Sequence, residues 1–349
     1  MLLRELLKPS RIYPVVLLIA MIIVWQYRSH NKEKMPEATF LDNVVVLKGH
    51  TMGTYYDIRY IDSSQFSLQP EIDSLFSQFT HEASTWIAES EISRFNLNDT
   101  ISNFSNHLKT LFETSKTIYK ETNGAFDPTV GPLVNAWGFG EKFADEIPSQ
   151  KKIDSLKQFI GFDKIKLSNN GTHLSKPKGV YLNMSAIAKG YGCDIIADFL
   201  KDRKYKNFKV EIGGEVVCEG TNQGRKWRIG IEKPSEDERK IHSVIEVENE
   251  AMATSGNYRN YFEKNGIKYA HTINPETGRP IQLEVLSTSV IAKNCMIADA
   301  YATAFMVMGL QKIKQFCAER NDFDVFIIYE SNGEQHVWMT EGMRKRIVI

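Results

Sequence analysis

Apolar residues along this chain recur at helical spacing in some stretches and as short β-rich runs in others, and the sequence of the two sets the expected elements. From Val44 to Tyr60, β-branched and aromatic residues broken by Gly49 and Gly53 predict a hairpin-like pair of strands. A helix is predicted around Pro70 to Phe79. A second is predicted over Asn103 to Thr122, where Phe104, Leu108, Leu111, Phe112, Thr114, Ile118 and Tyr119 fall close to helical spacing before a stop at Asn123-Gly124. Ser185 to Lys201 predicts a third. The run Phe208 to Val217, interrupted by Gly213-Gly214, and the runs Trp227 to Glu232 and Ser243 to Val247 predict strands. Strands in neighbouring runs, with helices clustered between them and no regular βαβ alternation, predict an α+β fold with mixed or antiparallel sheets flanked by helices. The segment Gly124 to Gly140 fits neither a strand nor a clean helix. Its glycines and prolines, interleaved with Phe126, Val130, Leu133, Trp137 and Phe139, predict a shaped pocket wall.

The start of the chain follows a different pattern. Arg4, Lys8 and Arg11 precede the apolar run Ile12 to Trp25. As a helix that run rises only ~21 Å, short of a ~30 Å hydrocarbon core, so by length alone it suits a signal peptide. Two features favour retention. No small-x-small cleavage pattern follows Trp25, and Trp25, Tyr27 and Arg28 can extend the span at headgroup level. Residues 1–28 are therefore expected to be an uncleaved anchor in the inner (cytoplasmic) membrane. The polar stretch 29–43, with Pro36, reads as a linker, and 44–349 as a folded domain on the extracytoplasmic, periplasmic side.

Composition narrows the function classes. With 42% hydrophobic and 25% charged residues in 349, the chain has the make-up of an ordinary globular protein. Lys plus Arg equals Asp plus Glu at 43 each, so charge predicts no nucleic-acid partner. Cys193, Cys218, Cys295 and Cys317 include no CxxC pair, so neither a zinc nor a redox motif is written here; free, half-buried thiols packed as small hydrophobes are expected, with one disulfide in an oxidising compartment as the alternative.

Three constellations carry candidate chemistry. Asp299-Ala300-Tyr301-Ala302-Thr303 opens an apolar helix, and the four-residue spacing stacks the Asp299 carboxylate and the Thr303 hydroxyl on one face. Two hard oxygens suit Mg²⁺, which takes few protein ligands and keeps its other positions for water and phosphate. Asn183 to Tyr191 sits at a strand-to-helix junction, where a helix N-terminus and Lys189 favour an anionic group. His271 to Gly278, preceded by Thr254 to Arg259, places a histidine that titrates near neutral pH beside a tight turn at Asn274-Pro275.

Taken in order, these segments resemble the ApbE family of FAD:protein FMN transferases. The matching elements are Thr51-Met52-Gly53-Thr54, Ser84-Thr85-Trp86, Glu91 to Asn96, Gly124 to Gly140, Ser185 to Tyr191, Gly213-Gly214, Thr254 to Tyr258, His271 to Gly278 and Asp299 to Thr303. The resemblance implies a Mg²⁺ held by the backbone carbonyl of Ala186 and the side chains of Asp299 and Thr303, with help at Ala302. It also implies an FAD site lined by Met52, Trp86, Ala125, Phe126, Asp127, Asn183, Lys189 and Ile273. Asn183 and Asn274 stand where relatives often carry Asp, and an amide oxygen still accepts a hydrogen bond.

The implied reaction passes the FMN half of FAD to a Ser or Thr hydroxyl of an acceptor flavoprotein in a membrane redox complex, with AMP leaving. His271 or Asp299 would assist removal of the hydroxyl proton. Two rivals stay open: water as the acceptor, giving an FAD pyrophosphatase, and a flavin-binding protein without turnover.

Overall fold

The computed structural model describes residues 39–41, 43–140, 147–235, 240–257, 261–264, 267–281 and 284–349. The predicted anchor, most of the linker, and Tyr258 and Arg259 lie outside the described residues. Among the described residues no helix is long and apolar enough to cross a membrane.

Strands Val44–Thr51 and Thr54–Ile61 form the predicted hairpin. It turns at Met52 and Gly53, whose φ values of 49° and 75° are both positive, as the twist of a tight two-residue turn requires. Gly49 does not break the first strand as expected. The Tyr56 ring lies across it, and a Cβ at that position would come within 2.6 Å of the ring.

The hairpin joins a nine-stranded sheet. Its order is Thr39–Leu41, Val44–Thr51, Thr54–Ile61, Phe208–Ile212, Glu215–Glu219, Glu250–Gly256, Val285–Ala292, Phe323–Ser331, Glu334–Met339. Every neighbouring pair is antiparallel. One face packs against the helices Gln69–Ala83, Asn106–Glu121, Ser185–Asp202 and Cys295–Met308 through a core that includes Phe112, Ile187, Val290 and Phe305. The other is covered by the hairpin of Trp227–Glu232 and Ile241–Val247, which buries Trp227, Ile229 and Ile245 against Met252 and Phe326. Covered on both sides, Val285–Ala292 is buried at every position.

Several boundaries differ from expectation for identifiable reasons. The helix expected from Asn103 begins at Asn106, because the Ser105 hydroxyl caps it by accepting from the Leu108 N–H. The segment Gly124 to Gly140 contains one short helix, Gly131–Ala136. The late helix does not open at Asp299. It begins at Cys295, where Asn294 accepts from the Ile297 N–H and the Asp194 carboxylate accepts from the N–H groups of Cys295 and Met296. Asp299 thus sits in the second turn. All four cysteines are free and fully packed, not half-buried as expected, and burial pushes their thiols above the ordinary range.

Candidate active site

Two helices make the floor of the site. The central helix, Ser185–Asp202, and the late helix, Cys295–Met308, approach so closely at Gly190 that a Cβ there would lie 2.3 Å from the Cys295 carbonyl oxygen and 2.7 Å from the Asp299 Cβ. Glycine inside a helix costs roughly 1 kcal/mol against alanine, so the position is held for contact and not for helix formation. The approach lets the Gly190 N–H donate to Asp299 Oδ2 at 2.9 Å. In a regular helix that N–H would be the partner of the Ala186 carbonyl. The Ala186 carbonyl lies one turn earlier on the same helix, and Ala186 lines the cavity above it.

Above this floor lies a cavity of about 530 Å³, within the size range of small-molecule sites. Its lining includes Trp86, Ala125, Phe126, Asp127, Asn183, Ala186, Lys189, His271, Ile273, Asp299 and Thr303. The three predicted constellations, far apart in sequence, therefore meet in one hollow. Two predicted residues lie outside its lining. Met52, at the turn of the first hairpin, packs beneath the central helix against Gly192. Ala302 is buried, and its carbonyl accepts from the Thr288 hydroxyl at 2.7 Å. Two smaller hollows adjoin through Pro275 and Val307, and neither contains Asp299, Thr303 or Lys189.

The walls divide by chemistry. Trp86 stands 74% exposed at the rim, an aromatic face with nothing packed over most of it. Asn183 and Asn274 both use their amide oxygens as acceptors, the first from the Ser185 N–H at 2.8 Å and the second from those of Glu276 and Thr277. The amide therefore supplies the local bonding a carboxylate would supply, without its charge beside an anion site. His271 is half-buried, with its ring edge-on to Phe139.

The charged cluster is compact. Lys189 Nζ lies 2.9 Å from Glu215 Oε1 and 3.8 Å from Asp299 Oδ1. Burial pushes the Asp299 carboxyl up, against the pull of Lys189 and with the repulsion of Glu215. Burial opposes the Lys189 ammonium, but the two carboxylates outweigh it and hold its pKa above the ordinary value. Glu215 was not singled out in the sequence, although a carboxylate directly after Gly213-Gly214, leading an apolar strand, was a usable signal. Its Oε2 is buried without a hydrogen-bond partner. Ser255 also joins the site, its hydroxyl 3.2 Å from that of Thr303.

Asp127 gives a test of burial in the wall. Its Oδ1 accepts from the N–H and hydroxyl of Thr129 at 2.8 and 2.6 Å, yet burial outweighs those bonds and pushes its carboxyl up to about 6. A folded-state pKa above the unfolded value of 3.8 contributes stability that is present at low pH and lost as pH rises through about 6. Asp127→Asn should therefore flatten the fall in stability of the ligand-free protein between pH 4 and 7, read by urea unfolding; a slope equal to that of the unsubstituted protein would count against it.

An antiparallel sheet with an aromatic-rimmed cavity on its helical face, holding a buried carboxylate–ammonium cluster, defines a protein with a small-molecule site. The chain belongs to the ApbE family, whose model matches residues 52–327. A Vibrio cholerae protein named FAD:protein FMN transferase is 42% identical over 296 residues, covering 82% of this chain and 88% of its own. The Escherichia coli K12 protein of the same name is 33% identical over 328 residues, covering 91% and 93%. Among solved structures, the flavin transferase ApbE of Vibrio cholerae matches with a TM-score of 0.79 at 38% identity, covering 89% of this chain and 100% of that one. The apo form of the Pseudomonas stutzeri flavinyl transferase ApbE matches at 0.78 and 31% identity, covering 88% and 98%.

Proposed function

We propose that this chain is an FAD:protein FMN transferase, moving the FMN half of FAD onto a Ser or Thr hydroxyl of an acceptor flavoprotein and releasing AMP. The observation that carries this reading is the meeting, in one cavity, of an exposed aromatic rim with an oxygen cluster backed by a lysine. The donor set fits Mg²⁺: the Asp299 carboxylate, the Thr303 hydroxyl and the Ala186 carbonyl are hard oxygens, and only one of them carries charge. Bound there, the ion would neutralise pyrophosphate oxygens and stabilise charge on the phosphoryl group in transfer.

The protein's own residues supply the rest. Trp86 offers an exposed face for the flavin tricycle, with Ala125 to Asp127 in the wall beside it, and the start of the central helix with Lys189 faces the phosphates. The acceptor oxygen forms a bond to the FMN phosphorus as the pyrophosphate P–O bond to AMP breaks. The hydroxyl proton passes to a base, His271 or Asp299, both of which line the cavity.

The basic flank and apolar run at the N-terminus support a tether to the inner membrane, with the cavity on the periplasmic side near a membrane redox complex. Co-expressing the full chain with a threonine-bearing flavoprotein should yield acceptor carrying FMN through a phosphoester, detected by mass spectrometry, with the enzyme in the membrane fraction. FAD bound but no labelled acceptor would overturn transfer, and free FMN with AMP would point to water as the acceptor.

A further inference from the structure

Asp299 has one oxygen occupied and one exposed to competition. Oδ2 receives the Gly190 N–H, which leaves Oδ1 as the oxygen nearest an incoming cation, and the ammonium of Lys189 stands 3.8 Å from it. An ammonium that closes that gap to direct contact occupies the same oxygen a divalent ion needs. What holds it back is the shorter 2.9 Å pair with Glu215, presented from the next element of the sheet directly after the Gly213-Gly214 turn. Glu215 is itself only 3% exposed, and its second carboxylate oxygen has no hydrogen-bond partner. A buried acid with half its bonding capacity unused is costly to keep for stability alone. It is accounted for if its charge is needed where it stands.

We infer that Glu215 is a positioning residue: it holds Lys189 off Asp299, so that the carboxylate floor of the cavity stays open to a divalent cation while the ammonium stays within reach of the phosphates. The inference rests on the metal assignment under the proposed function. With Glu215 present, the ammonium is drawn to its carboxylate at 2.9 Å and stays 3.8 Å from Asp299 Oδ1. Without it, Lys189 has a single buried partner, Asp299, and the pair becomes neutral and closed.

The test uses the full-length protein and Mn²⁺ alone, with free Mn²⁺ read by electron paramagnetic resonance and folding checked by circular dichroism. Glu215→Gln should weaken Mn²⁺ binding by about tenfold or more, and Glu215→Asp should restore most of it. Lys189→Met should bind Mn²⁺ at least as tightly as the unsubstituted protein, because the competing ammonium is gone. In the Lys189→Met background, adding Glu215→Gln should cost no more than about threefold, since nothing remains to be held back.

Equal losses from Glu215→Gln in both backgrounds would overturn the inference in favour of direct ligation by Glu215. Weaker binding by Lys189→Met would overturn it without requiring the Glu215 variants to fold. If Asp299→Asn abolishes binding while Glu215→Gln leaves it unchanged, the metal assignment stands and the inference falls. No Mn²⁺ binding by the unsubstituted protein would remove both.

Discussion

Gly190→Ala should cut transfer by about a hundredfold while the protein still folds. The added methyl would enter 2.3 Å from a backbone carbonyl and 2.7 Å from the Asp299 Cβ, so neither contact is relieved by turning a flexible side chain. Overfilling a packed contact costs about 1–3 kcal/mol, which a domain of this size survives. Relief must come from parting the central and late helices. That stretches the Gly190 N–H bond to Asp299 and shifts Asp299 and Thr303 relative to Ala186. A misplacement of about 1 Å at reacting groups is enough for a loss on the order of a hundredfold. The measurement pairs kcat/KM for acceptor labelling with a thermal melt, and a variant with native rates would show that the close approach is dispensable.

Asp299→Asn is expected to do the opposite to stability and worse to activity. The carboxylate is 2% exposed and burial disfavours its charged form, so a neutral amide of the same shape should leave the ligand-free protein at least as stable. An amide oxygen still accepts from the Gly190 N–H, but the charge offered to a cation is gone. Transfer should fall on the order of a thousandfold, and the rise in melting temperature on adding Mg²⁺ should vanish. Retained Mg²⁺-dependent transfer in this variant would remove Asp299 from the metal site. The two substitutions thus separate helix packing from charge: one damages geometry and stability together, the other only function.

Local pattern made much of the scaffold legible. The hairpin over Val44 to Tyr60 and the central helix follow from periodicity, and the strands around Gly213-Gly214, buried almost throughout, follow from apolar runs set off by the glycine pair. A buried strand with polar residues at its centre was harder. Val285–Ala292 shows no alternation because neither face meets water, and it was not anticipated. Short helices such as Glu91–Asn98 and Leu310–Ala318 offer too few turns for a period to stand out.

At the site, Asp299, Thr303 and Lys189 were readable because each lies in a local motif. Glu215 was marked only by its place after Gly213-Gly214, and sheet order is what brings residues 189, 215 and 299 together. Ala302 lies outside the cavity lining, and its carbonyl accepts from Thr288 on a strand that sequence spacing does not place beside it.

Strands Thr54–Ile61 and Phe208–Ile212 are direct neighbours, although residues 62–207 come between them in the chain. Zipping that pair means closing a very long loop, a step that contact order marks as slow. The excursion carries Trp86, Phe126 and the whole central helix, so the seam joining the two halves of the sheet also brings one wall of the cavity to its floor. A nascent chain released before that seam closes has neither a complete sheet nor a place to hold a dinucleotide.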